Sequence, residues 1–394
     1  MQPTMITLLY SLIFILSIYT PSIRISGIPI LLSDLILLIT FTISLWKVAC
    51  GETIDRRFFL LLVPVFLGLM LVLARSIYGL FEFKDIAIPT IHLKMFMAFV
   101  SFTVLWRHIN KKILLYIVLL GIFGQLIIAI LQKSGVPGFA SGIFYDLAVR
   151  NAMANVYYGD DVSHTLATHL NVTFRPIGFI GSPTILSTYL VVFLKLNDSL
   201  KPSIKIRSML YGSLLLCFSK ITIIGYVIYN YFLLPIQSLN QKKIIMSSIS
   251  FIIATLAFMV FLNMNERMYD YFLIFIKGED YGVTHRVSVI EFMSDLSLRE
   301  IIFGVGGNTS FIFDSGFLIT IFRFGIIYLV LVYAIYYRIL KIFHFENLHV
   351  FVFVMLIVTD LTIGTFHNQM FFYLISFSAI QLKHLQEKNG IQYA

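Results

Sequence analysis

Residues 86–132 read IAIPTIHLKMFMAFVSFTVLWRHINKKILLYIVLLGIFGQLIIAILQ. Two apolar runs, 86–106 and 112–132, flank a short basic connection carrying Arg107, Lys111 and Lys112. A run of about 20 apolar residues matches the thickness of a bilayer's hydrocarbon core. Inside that core every backbone N–H and C=O must find a partner within the segment, so such a run is helical. The stretch therefore predicts two antiparallel membrane-spanning helices joined by a turn too basic to leave the aqueous surface.

The same pattern extends in both directions. Of the 394 residues, 59% are hydrophobic and 12% charged; a soluble domain carries about a quarter charged residues. Apolar runs over 5–20, 28–46, 58–77, 86–106, 112–132, 176–196, 204–218, 221–237, 243–262, 315–337, 348–364 and 368–383 predict an all-α polytopic membrane protein of about twelve transmembrane helices, a single integral domain over 1–394. The seventh and eighth runs are divided only by Phe218-Ser219-Lys220, and the last two by TFHNQ, so either pair also reads as one long broken helix. The run from Met5 to Thr20 lacks a basic start and a small-residue cleavage site, and is expected to be a retained first helix. The two cysteines, Cys50 and Cys217, fall near opposite membrane faces and make no disulfide framework.

Charge sets the orientation. Sixteen basic residues fall in short loops on one side: Lys47, Arg56 and Arg57; Arg107, Lys111 and Lys112; Lys195, Lys201, Lys205 and Arg207; Lys242 and Lys243; Arg338 and Lys341; Lys383 and Lys388. The positive-inside rule places that side, and both termini, in the cytoplasm. The net charge of +9 is thus read as an orientation signal, and no nucleic-acid partner is expected. The opposite side holds two long loops, 134–175 and 263–314. Both carry aromatics, glycines and mixed charge, as functional loops do. Within the second, Arg286–Glu300 reads as an amphipathic helix with Val287, Ile290, Phe292, Met293 and Leu296 apolar, able to lie on the bilayer surface.

Four cations, Arg175, Lys220, Arg286 and Arg323, lie on or near this outer face against apolar segments. Arg323 sits about two turns inside the tenth run, where a charge is expensive. Guanidinium forks suit phosphate oxygens, so the group is a candidate site for a lipid-linked pyrophosphate. Snorkelling anchors and ion pairs with loop carboxylates are the plain alternative. Asp314, at the mouth of the tenth run in FIFDSGFLITIFRFG, is a candidate general base and equally a candidate helix N-cap. His285 either assists phosphate binding or is a surface residue. Tyr145, Tyr157, Tyr158 and Tyr281 are candidates for stacking on sugar rings, or interface anchors. His164 and His169 are five residues apart and share no helical face; neither a metal nor another cofactor is expected.

Several fragments resemble one family in its own order. FRPIGFIGSPTILSTYL resembles the arginine–glycine–(Asn/Ser)-Pro pattern that closes the first large periplasmic loop of the O-antigen polymerase and ligase superfamily. LLLCFSKITIIGY resembles its apolar run followed by Ser-Arg, with Lys220 standing for the arginine; the substitution keeps a charge and loses the bidentate fork. HRVSVIEF resembles the arginine that opens the amphipathic segment of the second loop. IIFGVGG and FDSGFLITIFRFGIIY resemble its Gly-x-Gly and Asp/His-containing ending. The ligases carry a histidine where this chain has Asp314, which points to the polymerase (Wzy-type) branch.

The resemblance implies a membrane glycosyltransferase of GT-C-like architecture in the bacterial inner membrane, inverting and metal-independent, with short helices in both periplasmic loops. It would transfer a glycan en bloc from undecaprenyl pyrophosphate to one incoming lipid-linked repeat unit. Arg175, Lys220, Arg286, Arg323 and His285 would hold the pyrophosphate, Asp314 would deprotonate the acceptor hydroxyl, and Tyr157, Tyr158 and Tyr281 would meet sugars. Its partners would be lipid-linked oligosaccharides, the bilayer and a protein that regulates chain length. The alternatives are a ligase, or a lipid-linked oligosaccharide flippase or other polysaccharide transporter. A transporter should place polar groups near the bilayer midplane between matched halves. The candidates there are Lys94, Asp360 and Gln125, and no internal repeat stands out.

Overall fold

The computed structural model describes residues 3–20, 23–25, 28–77, 83–152, 176–200, 203–217, 219–234, 241–263, 281–306, 315–342 and 348–361, with a few isolated residues between 269 and 277. The chain is a helical membrane protein. Among the described residues, five helices are long and apolar enough to cross a bilayer: Leu32–Ala49, Arg56–Ile77, Ala87–His108, Lys111–Lys133 and Gly316–Ile342. Shorter apolar helices cover Thr4–Tyr19, Thr184–Lys195, Ile221–Leu233, Ile244–Ile253 and Leu348–Asp360. The expected twelfth span, 368–383, lies outside the described residues.

Helix α1 (Pro3–Tyr19) leads into a two-stranded antiparallel hairpin, β1 (Ile23–Ile25) and β2 (Ile28–Ile30), in which Ile23 pairs with Ile30 and Ile25 with Ile28. The apolar run read as a helix from 28 therefore begins as a strand, and α2 (Leu32–Ala49) starts four residues later. The Asp34 carboxylate accepts the Leu31 N–H at 2.9 Å, which fixes that start. Then follow α3 (Leu62–Ile77, entered through a 3₁₀ turn over Arg56–Leu61), α4 (Ala87–Leu105) and α5 (Lys111–Lys133). The basic turn between α4 and α5 is capped by Asn110, whose side chain accepts the Ile113 N–H.

Beyond it come α6 (Ile143–Ala152), α7 (Pro183–Leu200), α8 (Ile204–Cys217) and α9 (Lys220–Val227), which continues as a π turn over Ile228–Leu233. The remaining described helices are α10 (Gln241–Asn263), α11 (Tyr281–Ser294), α12 (Leu298–Phe303), α13 (Gly316–Ile342) and α14 (Leu348–Asp360). The seventh and eighth runs are thus two helices, divided where the sequence places Phe218-Ser219-Lys220.

The core is apolar and so is much of the outside. Helix α4 is buried on nearly every side, from Ile88 to Leu105. Leu120 and Phe123 of α5, and Ile249, Ile253 and Leu256 of α10, are exposed. Apolar surface on this scale is unstable in water and natural in lipid. Interior charges are partnered: Lys94 pairs with Asp34 at 2.6 Å, and the Tyr333 hydroxyl donates to Asp360 at 2.5 Å. Two of the polar groups considered for a transport path thus have structural partners.

The amphipathic stretch over 286–300 is two helices. Helix α11 begins five residues earlier, at Tyr281, and ends at Ser294. Ser297 then caps α12, accepting the Glu300 N–H, while the Glu300 carboxylate accepts the Ser297 N–H at 2.8 Å. These bonds to Ser297 hold the Glu300 carboxyl below the usual carboxylate range. Val289 and Met293 of α11 pack on Ile319 and Phe322 of α13, whereas Val287 and Ile290 are exposed. The helix is docked on a protein face as well as presenting apolar side chains outward.

Candidate functional site

Three features surround the positions singled out in the sequence. The first is the turn that follows Arg175. Gln125 and Gln132 are seven residues apart on α5, two turns along one face. The Gln132 Oε1 accepts the N–H groups of Ile177 and Gly178, both at 2.9 Å, and its Nε2 donates to the Gly178 carbonyl at 3.3 Å. The Gln125 Oε1 accepts the Phe179 N–H at 2.9 Å. Non-helical backbone at this depth survives only when its polar groups are satisfied, and two glutamine side chains do that here. Gly178 lies at φ +59°, and a Cβ there would sit 2.5 Å from the Gln125 oxygen, so the clamp requires glycine. Gln125, considered above for a transport path, is thereby committed to holding this turn.

The second feature is a set of three helix starts. Ser182 precedes α7, Ser219 precedes α9 and Ser315 precedes α13; all three are buried. Each hydroxyl accepts the N–H three residues on: Ile185 at 3.5 Å, Thr222 at 3.4 Å and Leu318 at 3.4 Å. Thr188 of α7 hydrogen-bonds both Thr222 of α9 and Thr359 of α14 at 3.1 Å, and Thr222 Oγ1 donates to Ser219 at 3.0 Å. Ser315 donates to the Asp360 carbonyl at 3.2 Å. Hydroxyl contacts thus tie three helices to α14: α7 and α9 through Thr188, Thr222 and Thr359, and α13 through Ser315 and the Asp360 carbonyl. Helix N-termini expose unsatisfied N–H groups and positive dipole ends, which favour anions. The capping position at α13 belongs to Ser315, so the N-cap role considered for Asp314 has another occupant.

The third feature is an interlock around Arg323. Helix α13 is broken at Gly325 (φ 86°, ψ 167°), nine residues after it begins. The loop after α12 plugs the break: the Val305 N–H donates to the Phe322 carbonyl at 2.7 Å and the Gly306 N–H at 3.2 Å. Arg323 is buried, with Nη1 3.8 Å from Asp85 Oδ1. Arg75, in the last turn of α3, donates to the Phe303 carbonyl at 3.0 Å and stacks on the Phe324 ring at 5.7 Å. Arg75 also lies within electrostatic reach of both Asp85 and Arg323. Arg75 therefore holds the end of α12 against the broken helix, beside the buried Arg323–Asp85 pair.

Of the residues expected to carry chemistry, Arg175, Tyr157, Tyr158 and Asp314 lie outside the described residues. Lys220 is the first residue of α9, and Tyr281, His285 and Arg286 occupy the first two turns of α11; their backbones are described and their side chains are not. Arg323 has a definite place and a partner. Tyr145, in α6, is buried, and burial pushes its phenol up from the usual value. Among the described residues no three His, Cys, Asp or Glu side chains converge in a metal-binding group.

The sequence reading missed Arg75, Asp85 and Gln132, and considered Gln125 only for a transport path. Arg75 reads as an ordinary end-of-span anchor, and Asp85 lies in a connection too short to draw notice. A glutamine pair two turns apart inside an apolar run was the one available signal. Comparison with protein-family models, with curated proteins and with solved structures finds no match to this chain.

Proposed function

We propose that this protein is a membrane glycosyltransferase that polymerises lipid-pyrophosphate-linked oligosaccharide repeat units on the outer face of a bacterial inner membrane, as an O-antigen polymerase does. The single observation that carries the reading is the hydroxyl network. The fragments that resemble the superfamily at 175–183, 219–220 and 314–316 are distant in sequence, yet Ser182, Ser219 and Ser315 cap three helices joined through Thr188, Thr222, Thr359 and Asp360. Three helix N-termini that fall at or after Arg175, Lys220 and Asp314 in sequence would suit a pyrophosphate and a reacting hydroxyl.

In this mechanism the acceptor sugar's hydroxyl oxygen attacks the anomeric carbon of the donor glycan. Asp314 takes the hydroxyl proton. The bond from the anomeric carbon to the phosphate oxygen breaks with inversion, and undecaprenyl pyrophosphate leaves with the electron pair. Arg175, Lys220 and Arg286 stabilise its developing charge, which is often the largest catalytic contribution. His285 is placed one residue before Arg286 to assist, and Tyr157, Tyr158 and Tyr281 are assigned to the sugars. Arg323 takes a positioning role instead of touching phosphate, because it is buried against Asp85.

The broken helix at Gly325 favours a second reading, since discontinuous spans bind substrates in transporters. A gel of surface polysaccharide separates the two. Deletion of a polymerase leaves single-repeat caps without a ladder, whereas deletion of a flippase or ligase removes the glycan altogether. Arg175→Ala and Arg286→Ala should reproduce the single-repeat pattern at normal protein abundance, and Arg175→Lys should retain part of the ladder. Full ladders from both alanine variants would end the pyrophosphate role.

A further inference from the structure

The charged end of α7–α9 encloses a cavity unrelated to the outer site. It has a volume of about 260 Å³ and is lined by Lys195 and Asp198 of α7, Arg207 and Tyr211 of α8, Tyr226 of α9 and Asn230 of the π turn, with two further side chains. The connection 195–207 is one of the basic loops, so the cavity opens at the basic side of the membrane. Its charges are asymmetric, two cations to one carboxylate. The Arg207 Nε sits 2.9 Å from both Asp198 oxygens. That contact orients the guanidinium through one edge and leaves its two terminal amino groups, which have no hydrogen-bond partner among the described residues. A planar pair of such donors matches two oxygens of one phosphate.

The second cation is fixed equally well. Lys195 Nζ donates to Asn230 Oδ1 at 3.0 Å and lies 5.9 Å from the Tyr226 ring centroid. Asn230 Nδ2 donates in turn to the Tyr226 carbonyl at 2.8 Å. Asn230 and Tyr231 of the π turn line the cavity with Tyr226 of the helix it continues, and π turns recur at functional sites. Tyr211 in the lining is exposed, as are Ile204, three residues before Arg207, and Phe232, next to Tyr231, which gives the elements that line the cavity an apolar rim. A phosphate held between Lys195 and Arg207 would therefore carry its substituents along a greasy rim. Tyrosine hydroxyls offer donors and acceptors to a headgroup alcohol. A soluble phosphate has no use for the rim.

We propose that this cavity binds the phosphodiester headgroup of an anionic phospholipid from the basic-side leaflet, its acyl chains lying along Ile204, Tyr211 and Phe232. Basic pockets between transmembrane helices on that side are the known setting for such headgroups. The proposal is independent of the polymerase reading, and its failure would leave that reading untouched.

The test uses the full-length protein in nanodiscs of phosphatidylcholine with and without phosphatidylglycerol, with phosphatidylglycerol affinity read by native mass spectrometry. The wild type should retain phosphatidylglycerol over phosphatidylcholine. Arg207→Gln should weaken that affinity about fivefold, the effect of one near-surface basic residue, and Lys195→Gln should do the same. Arg207→Lys, which keeps a charge beside Asp198, should lose less, and it carries the test should Arg207→Gln not fold. Inorganic phosphate at millimolar concentration should not displace the lipid. Unchanged lipid affinity in the variants would overturn the proposal. Displacement by phosphate alone would also overturn it, showing a free-anion site.

Discussion

Replacing Gly325 with alanine tests the interlock that holds the second loop against the membrane helices. The native backbone there, φ 86° and ψ 167°, lies in a region open essentially to glycine alone. Forcing alanine into it costs about 1–3 kcal/mol. The added Cβ would also lie 2.5 Å from the Ile302 carbonyl carbon and 2.7 Å from that of Phe303, against an ordinary contact of at least 3.4 Å. The α12 loop must then withdraw by roughly 1 Å, which breaks the Val305 and Gly306 N–H bonds to Phe322. At about 1 kcal/mol each, these bring the loss to about 3–5 kcal/mol. Gly212 is a matched control. It is exposed within α8, and nothing lies within 4 Å of its Cβ position, so Gly212→Ala should be neutral or stabilise by up to about 1 kcal/mol. The assay is thermal unfolding of both variants in one detergent, alongside the surface polysaccharide ladder. Gly325→Ala should unfold earlier and shorten or abolish the ladder. If the two variants are indistinguishable from wild type, the break does not organise the loop and the reasoning fails.

Asp85→Ala should destabilise by about 3–5 kcal/mol, because Arg323 loses its buried ion-pair partner; chemical denaturation in detergent measures it, and a loss under about 1 kcal/mol would mean the pair is ornamental. Asp314→Asn should leave an inserted, abundant protein that makes only single-repeat products, since Asn cannot take the proton; a base contributes about 10²–10⁴-fold in rate. A near-normal ladder would send the search for a base elsewhere. Reporter fusions at Gly138 and Gly278 should both read as periplasmic, and a cytoplasmic signal at either would overturn the orientation drawn from the basic loops.

Much of the architecture was legible without coordinates because lipid imposes one rule on every spanning segment. Helices α3 to α5, α10 and α13 lie where apolar length places them, and the boundary at Phe218-Ser219-Lys220 follows from a capping serine. Where the pattern misled, local hydrogen bonding overrode hydrophobicity. Residues 28–30 are apolar yet form a strand, because α2 begins only where Asp34 caps it. The stretch 286–300 is amphipathic yet divides, because Ser297 and Glu300 start a new helix inside it. Helix α13 reads as one uninterrupted run, and its break at Gly325 shows only once Ile302 and Phe303 lie against that backbone.

The sequence by itself determined that this is a helical membrane protein, which side of it is basic, and which isolated charges need an explanation. Apolar run length and the distribution of lysine and arginine are one-dimensional quantities, so a linear reading recovers them. Only the tertiary structure decided what the polar residues inside the spans are for. Gln125 and Gln132 hold the turn after Arg175, Asp85 and Arg75 gather around Arg323, and Thr188, Thr222 and Thr359 join helices α7, α9 and α14. These partners are separated by 34 to 248 positions, from Thr188 and Thr222 to Arg75 and Arg323. Within a low-dielectric interior each polar group must find its partner in three dimensions, and nothing in its immediate sequence names that partner.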